Sequence, residues 1–158
     1  MRGVLMRTHD QRLKELNDNR MLFEQIVERY PEPALSHRPS EHQWSIKEIL
    51  CHLVDIQEVV AGRVSKMLAE ENPPIELYDE EKENRERDHR NDDIGSYKST
   101  FTSTRDRLLS ALAGKDSDWS RRGQHALNPD FTVEFVVNDM LDHEQRHFEQ
   151  IHLITTRM

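Results

Sequence analysis

The chain has 158 residues, 35% hydrophobic and 33% charged, which fits one domain over residues 1–158 built from segments with one apolar and one solvated face. Its five glycines and six prolines are too few for the many turns of a β-sandwich or a β-barrel. A net charge of −8 argues against a broad basic surface for nucleic acid.

The first predicted helix covers residues 9–30. Its apolar residues recur at steps of three and four, which places them on one face of an α-helix, and Pro31 ends the pattern. The segment that follows, residues 31–44, is rich in proline and is predicted to be a loop.

The second predicted helix begins with a complete start signal. Ser45 can cap the helix while Glu48 reaches back to the Ser45 N–H, which is the capping box. Trp44 before the cap and Ile49 at the fourth helical position can form the hydrophobic staple. The apolar stripe of this helix continues to about residue 69.

A long charged segment separates the second helix from the third. Residues 70–93 have no helical periodicity and carry many charges of both signs, so we predict a solvated connection that can contain some irregular helix. Such a segment can reach about 75 Å when extended, enough to return along a helix and leave the second and third helices parallel. The third helix is predicted over residues 94–112, with Asp92 or Asp93 as its cap.

The fourth helix is predicted to begin near Thr132, after a loop over residues 114–130. Four amphipathic helices with no strand pattern between them predict an all-α fold, a four-helix bundle with a long crossover between helices two and three. The inward residues predicted for the fourth helix include Val133, Val136, Met140, Ile151 and Ile154.

Residues 143–147, HEQRH, match the H-E-x-x-H signature of zinc metallopeptidases. Such a peptidase takes its third ligand from downstream, but the chain ends at residue 158. The one later histidine, His152, lies about 140° around the helix from His147. We therefore predict that the protein is not a peptidase of this kind and that the third ligand lies upstream.

His143 and His147 continue the apolar seam of the fourth helix. Two imidazoles buried one turn apart are costly without a partner, and a shared divalent cation is the simplest one. The best third donor is His52, which lies between Ile49 and Ile56 on the apolar face of the second helix. A lone histidine there could instead be a core-edge residue bonded to a carbonyl group, but the two histidines opposite favour ligation.

The other histidines are predicted to be loop or surface residues: His9, His37, His42, His89, His125 and His152. The single cysteine, Cys51, excludes an intrachain disulfide framework and fits a reducing compartment. It points about 100° away from His52 and is predicted to be a small core residue. No segment has the apolar length of a signal peptide or a membrane span, so we predict a cytoplasmic protein with no membrane partner.

Three motifs, in this order, resemble the DinB-like (YfiT-like) superfamily of metal-binding four-helix bundles. They are RPSEHQWSIKEILCHLVD, the helix from Phe101 to Leu112, and a His-x-x-x-His helix that ends in HFEQI, and the resemblance covers residues 10–155. It implies an up-down-down-up bundle, a homodimer, and a divalent metal ion, zinc or nickel. It also implies the ligands of that metal, which are His52, His143 and His147.

The resemblance leaves the reaction open. Some relatives are thiol S-transferases that use low-molecular-weight thiols, and others are isomerases or have been called hydrolases. It therefore implies a small-molecule substrate, with a thiol as one option for a co-substrate. Asn128-Pro129-Asp130 stands where loops of the family often carry a glycine, so no residue of this loop is assigned a substrate role.

Three imidazoles leave an open coordination position, which is typical of catalytic metal sites. Our hypothesis is a thiol S-transferase or hydrolase in which the metal activates a thiol or water. The alternative is a non-catalytic, metal-stabilised dimer for stress response or small-molecule binding. Asp55 and Glu58 are candidates for a general base or for orienting a ligand, although both could equally be surface residues. Glu144 should point about 100° from the metal and is the third candidate.

Overall fold

The computed structural model describes residues 6–114 and 116–158. Residues 1–5, which belong to the predicted domain, and residue 115, in the predicted loop before the last helix, lie outside the described residues. The described residues form six α-helices and one short 3₁₀ helix over Asp116–Ser120. The α-helices are α1 (His9–Arg29), α2 (Glu32–Ser36), α3 (Ile46–Ala69), α4 (Glu80–Glu86), α5 (Ile94–Leu112) and α6 (Val133–Thr155).

Helix α1 runs antiparallel to α5. Near the start of α1, Arg105 of α5 donates a hydrogen bond to the carbonyl oxygen of Leu16. Near the end of α1, Lys98 at the other end of α5 pairs with Glu28. The order of partners along the two helices is therefore reversed.

The crossover leaves α3 and α5 parallel, as the length of residues 70–93 predicted. Near the start of α3, Lys47 donates to the carbonyl oxygen of Arg90, just ahead of α5. One-third of the way into α5, the carbonyl oxygen of Phe101 accepts from Gln57, farther along α3. The last helix, α6, runs antiparallel to α3 and completes the predicted up-down-down-up bundle.

The predicted capping signals are confirmed at two helices. The Ser45 hydroxyl accepts from the backbone N–H of Glu48, and the Glu48 carboxylate accepts from the backbone N–H of Ser45. Asp93, the second of the two predicted caps, accepts from the N–H of Gly95 at the start of α5. The last helix, α6, begins at Val133, near the predicted start, and Thr132 caps it.

Two short helices lie in the connecting segments: α2 in a predicted loop, and α4 in the charged connection, which is predicted to allow some irregular helix. The five-residue α2 follows Pro31 and buries only Leu35, and the seven-residue α4 buries no residue. Neither helix is long enough, or apolar enough, to produce the period of 3.6 residues by which helices are recognised in a sequence. The predicted connection over residues 70–93 therefore contains a seven-residue helix on the surface of the bundle.

A buried polar layer separates two apolar clusters, one toward each end of the bundle. It consists of Gln57 on α3, Arg105 on α5 and Glu144 on α6, each at most 1% exposed. On each of these three helices, the polar residue lies between a residue of one apolar cluster and a residue of the other. The flanking pairs are Val54 and Val60 on α3, Phe101 and Leu108 on α5, and Phe148 and Leu141 on α6. Among the described residues, no helix combines the length and the apolar composition needed to cross a membrane.

Candidate metal centre

The antiparallel packing of α3 and α6 brings three histidines together. His52 lies in the second turn of α3, and its side chain is 3% exposed. His143 and His147 lie one turn apart on α6 and are half-buried at its edge. One ring nitrogen from each histidine lies within 4.8 Å of the other two.

A carboxylate from the crossover joins the three imidazoles. The Nε2 atom of His143 lies 3.1 Å from Nε2 of His52 and 3.1 Å from Nε2 of His147. Oε1 of Glu80, the first residue of α4, lies 3.2 Å from Nε2 of His52 and 3.3 Å from Nε2 of His143. The Glu80 carboxylate thus lies against His52 and His143, on one side of the histidine group, and among the described residues no hydrogen bond or ion pair joins it to His147.

Hydrogen bonds alone do not satisfy these four atoms. A ring nitrogen either donates one hydrogen or accepts, yet Nε2 of His143 faces three polar atoms at once. A cation that accepts a lone pair from each atom does satisfy them. Ligands at Zn²⁺ bond lengths of about 2.0–2.1 Å and tetrahedral angles lie about 3.3–3.4 Å apart. The Nε2 atom of His143 lies at similar distances, 3.1 Å, 3.1 Å and 3.3 Å, from His52, His147 and Glu80.

Neighbouring side chains orient two of the imidazoles. Nδ1 of His147 lies 2.9 Å from Oε1 of Gln150, so the ring donates its hydrogen there and its Nε2 keeps a free lone pair. Burial lowers the pKa of His147 to about 4, which leaves the ring neutral at neutral pH. The indole of Trp44 packs on His52 with 5.2 Å between ring centroids.

The predicted catalytic residues on α3 lie outside this group. Asp55 bonds to Nε2 of His89 at 2.8 Å and to Arg87 at 3.2 Å. Glu58 is exposed and lines a groove of about 570 Å³ between α3 and α5. Among the described residues, neither has a hydrogen bond to the three histidines, so their catalytic roles remain predictions that the geometry does not support.

Glu144, the glutamate of HEQRH, lies in the polar layer of the bundle. Its carboxylate pairs with Arg105 and accepts from Asn19 at 3.0 Å. The predicted rotation of about 100° away from His143 thus turns this side chain into the core. In the described part of the structure it shares no hydrogen bond with His143 or His147, and we do not carry it forward as a catalytic candidate.

Sequence reasoning missed Glu80 and the buried contacts of His89. Glu80 stands in a segment with several other glutamates and no periodicity, so no sequence signal distinguished it. His89 lies in a loop, which is one of the two predicted alternatives, but it is only 9% exposed. Its two ring nitrogens each lie 2.8 Å from a carboxylate oxygen, of Asp55 and Asp92. Tyr97 donates to Asp92, and together these side chains fasten the end of the crossover to the bundle.

The His89 cluster predicts a pH-dependent stability. Its hydrogen bond to Asp55 raises the pKa of His89, so the charged ring stabilises the fold below the unfolded pKa of about 6.5. That contribution is lost as the pH rises through the higher folded pKa. Between about pH 6 and about pH 8.5 we therefore expect the unfolding free energy to fall more in the wild type than in His89→Gln, by about 1 kcal/mol. Urea unfolding of both proteins measures the difference, and equal falls would contradict it.

Comparisons with known proteins point to one family and one fold. The family model of the DinB superfamily matches residues 15–151. The structure also resembles that of YfiT from Bacillus subtilis, described as a probable metal-dependent hydrolase with an unusual four-helix bundle topology. The TM-score is 0.82 at 20% identity, over 100% of this chain and 93% of that chain. No curated protein matches the sequence significantly.

Proposed function

This chain belongs to the DinB superfamily, and we propose that it is a metal-dependent hydrolase of a small-molecule substrate. The observation that carries the proposal is the convergence of His52, His143 and His147, whose ligand atoms lie within 4.8 Å of one another, with Glu80 beside two of them. Imidazole-rich sites suit zinc and nickel, and we propose one of these as the resident ion. The description of YfiT as a probable metal-dependent hydrolase supports the same reaction class.

The ion supplies one function that no side chain of this group has. A divalent cation lowers the pKa of a bound water or thiol and so provides a nucleophile at neutral pH. A thiol in that place would make the protein a thiol S-transferase, with a low-molecular-weight thiol as its co-substrate. A water molecule and a thiol both require an exchangeable coordination position on the metal beside the three fixed imidazoles.

The surrounding side chains define how a substrate approaches. The side chain of His52 is 3% exposed and that of His143 is 12% exposed, whereas that of Glu80 is 47% exposed. The histidines thus form the inner wall of the site, and Glu80 lies on its solvent side. Gln150 and Trp44 hold the rings of His147 and His52 while a substrate enters past Glu80.

We do not propose peptidase activity for the HEQRH segment. A zincin needs its glutamate free to act as a general base on the metal side. Here the Glu144 carboxylate is 1% exposed and paired with the guanidinium of Arg105.

The homodimer and the cytoplasmic location stay predictions. The first follows from the family resemblance and the second from the sequence.

Metal analysis combined with an activity screen tests the proposal. We expect purified protein to hold about one equivalent of zinc or nickel, and to hydrolyse a subset of small esters or amides. Removal of the metal with a chelator should abolish turnover, and its return should restore turnover. A parallel screen pairs low-molecular-weight thiols with electrophiles.

The outcomes of the screen separate the candidate functions. Thiol-dependent consumption of electrophiles without hydrolysis would replace the hydrolase with a thiol S-transferase. Metal-loaded protein that is inactive in both screens would favour the non-catalytic, metal-stabilised dimer. Protein that takes up no divalent metal would contradict the proposed metal centre and, with it, both metal-dependent reactions.

A further inference from the structure

We propose that Glu80 is a fourth, displaceable ligand of the metal, a carboxylate that the crossover places across the solvent side of the site. The inference rests on the proposed metal centre and concerns how access to it is controlled. In this arrangement the Glu80 carboxylate occupies the coordination position that the three histidines leave open. A substrate or other small ligand then binds by replacing the Glu80 oxygen.

The contacts of one oxygen atom support ligation by Glu80. Oε1 lies 3.2 Å from Nε2 of His52 and 3.3 Å from Nε2 of His143. Simple ion pairs would require both nitrogens to carry hydrogens directed at Glu80, although these nitrogens lie only 3.1 Å apart. Two N–H groups this close repel each other, so lone pairs directed at a shared cation explain the arrangement better.

The position of Glu80 in the fold makes it the exchangeable member of the group. The three histidines belong to long helices whose apolar faces form the core. Glu80 belongs to α4, which has seven residues and buries none of them. Moving α4 away from the site would uncover no apolar core, whereas moving a histidine would disturb α3 or α6.

Polar contacts on both sides of Glu80 hold the segment in the closed position. Before it, Arg63 of α3 donates to the carbonyl oxygen of Glu76 at 2.8 Å. After it, Arg87 pairs with Asp55 at 3.2 Å, and both of these side chains reach solvent. Polar contacts that reach solvent are individually weak, so they hold the segment closed without preventing a ligand from displacing the carboxylate.

Cobalt substitution offers a test that does not depend on activity. Wild type, Glu80→Gln and Glu80→Ala are compared with Glu81→Gln, which makes the same change of charge on the adjacent, exposed residue of α4. Circular dichroism establishes that all four proteins are folded. Chelator competition gives the Co²⁺ dissociation constant, the visible absorption of bound Co²⁺ reports its ligands, and azide is the probe for the exchangeable position.

We expect Glu80→Gln and Glu80→Ala to weaken Co²⁺ binding by about ten- to a hundred-fold and to change its visible spectrum. Azide should bind about tenfold more tightly to the Co²⁺ forms of these variants, because it no longer competes with the carboxylate. Glu81→Gln should match the wild type in all three measurements.

Failure of this inference differs from failure of the proposed metal centre. If wild type binds Co²⁺ and the Glu80 variants match Glu81→Gln in affinity, spectrum and azide binding, Glu80 is not a ligand and only the present inference is overturned. If wild type itself binds no Co²⁺, both the proposed metal centre and the role of Glu80 are overturned.

Discussion

Replacing His52, His143 or His147 by alanine lowers the affinity for a divalent metal by about a hundred-fold or more. Each substitution removes one of three imidazoles whose Nε2 atoms meet within 4.8 Å. Two imidazoles and one half-exposed carboxylate would remain, which is a poor set for an ion that prefers four protein or substrate ligands. Chelator competition on metal-free protein measures the loss directly.

A matched control exists on the same helix. His152 is exposed on α6 and is not a member of the histidine group, so His152→Ala should bind metal as the wild type does. Thermal unfolding supplies a second readout, since a ligand of the folded state at a hundredfold excess over its dissociation constant adds about 2.7 kcal/mol to stability. Metal should therefore raise the Tm of wild type and His152→Ala only. Full metal content in all three alanine variants would show that the assignment of these ligands is wrong.

Glu144→Ala should destabilise the fold by about 3–5 kcal/mol. The Glu144 carboxylate is 1% exposed and neutralises Arg105, which is 0% exposed. Without it, the guanidinium is left as a buried charge whose remaining partners are neutral oxygens of Gln57 and Leu16. An unpaired buried charge is among the most costly defects in a protein core, and urea unfolding measures the loss.

Two further variants show whether the ion pair is the cause. Glu149→Ala removes an exposed glutamate from the same helix and should change stability by no more than about 0.5 kcal/mol. The double variant Arg105→Met with Glu144→Leu removes both charges and should recover a large part of the loss, because an apolar pair avoids the cost of an unpaired charge. A Glu144→Ala protein as stable as Glu149→Ala would contradict a structural role for Glu144.

The local signals in the sequence predicted the helices well. The capping box at Ser45, the cap at Asp93 and the apolar period set the start and the face of each long helix. The same period singled out His52, His143 and His147, since each sits among apolar residues at helical spacing. These signals are local because hydrogen bonds and apolar spacing within a helix depend on residues three or four positions apart.

Only the tertiary structure decided which side chains face one another across helices. Helical spacing turns Glu144 away from the histidines, but only the fold of the bundle brings Arg105 of α5 to it. Glu80 and its neighbouring glutamates are equivalent in the sequence, and the path of the crossover alone places Glu80 beside His52 and His143. Helix periodicity determines the face on which a residue lies, whereas long-range packing determines what lies opposite that face. The sequence alone thus determined the four long helices and singled out the three histidines. The packing of the bundle decided that HEQRH contributes its histidines to the candidate site and its glutamate to the core.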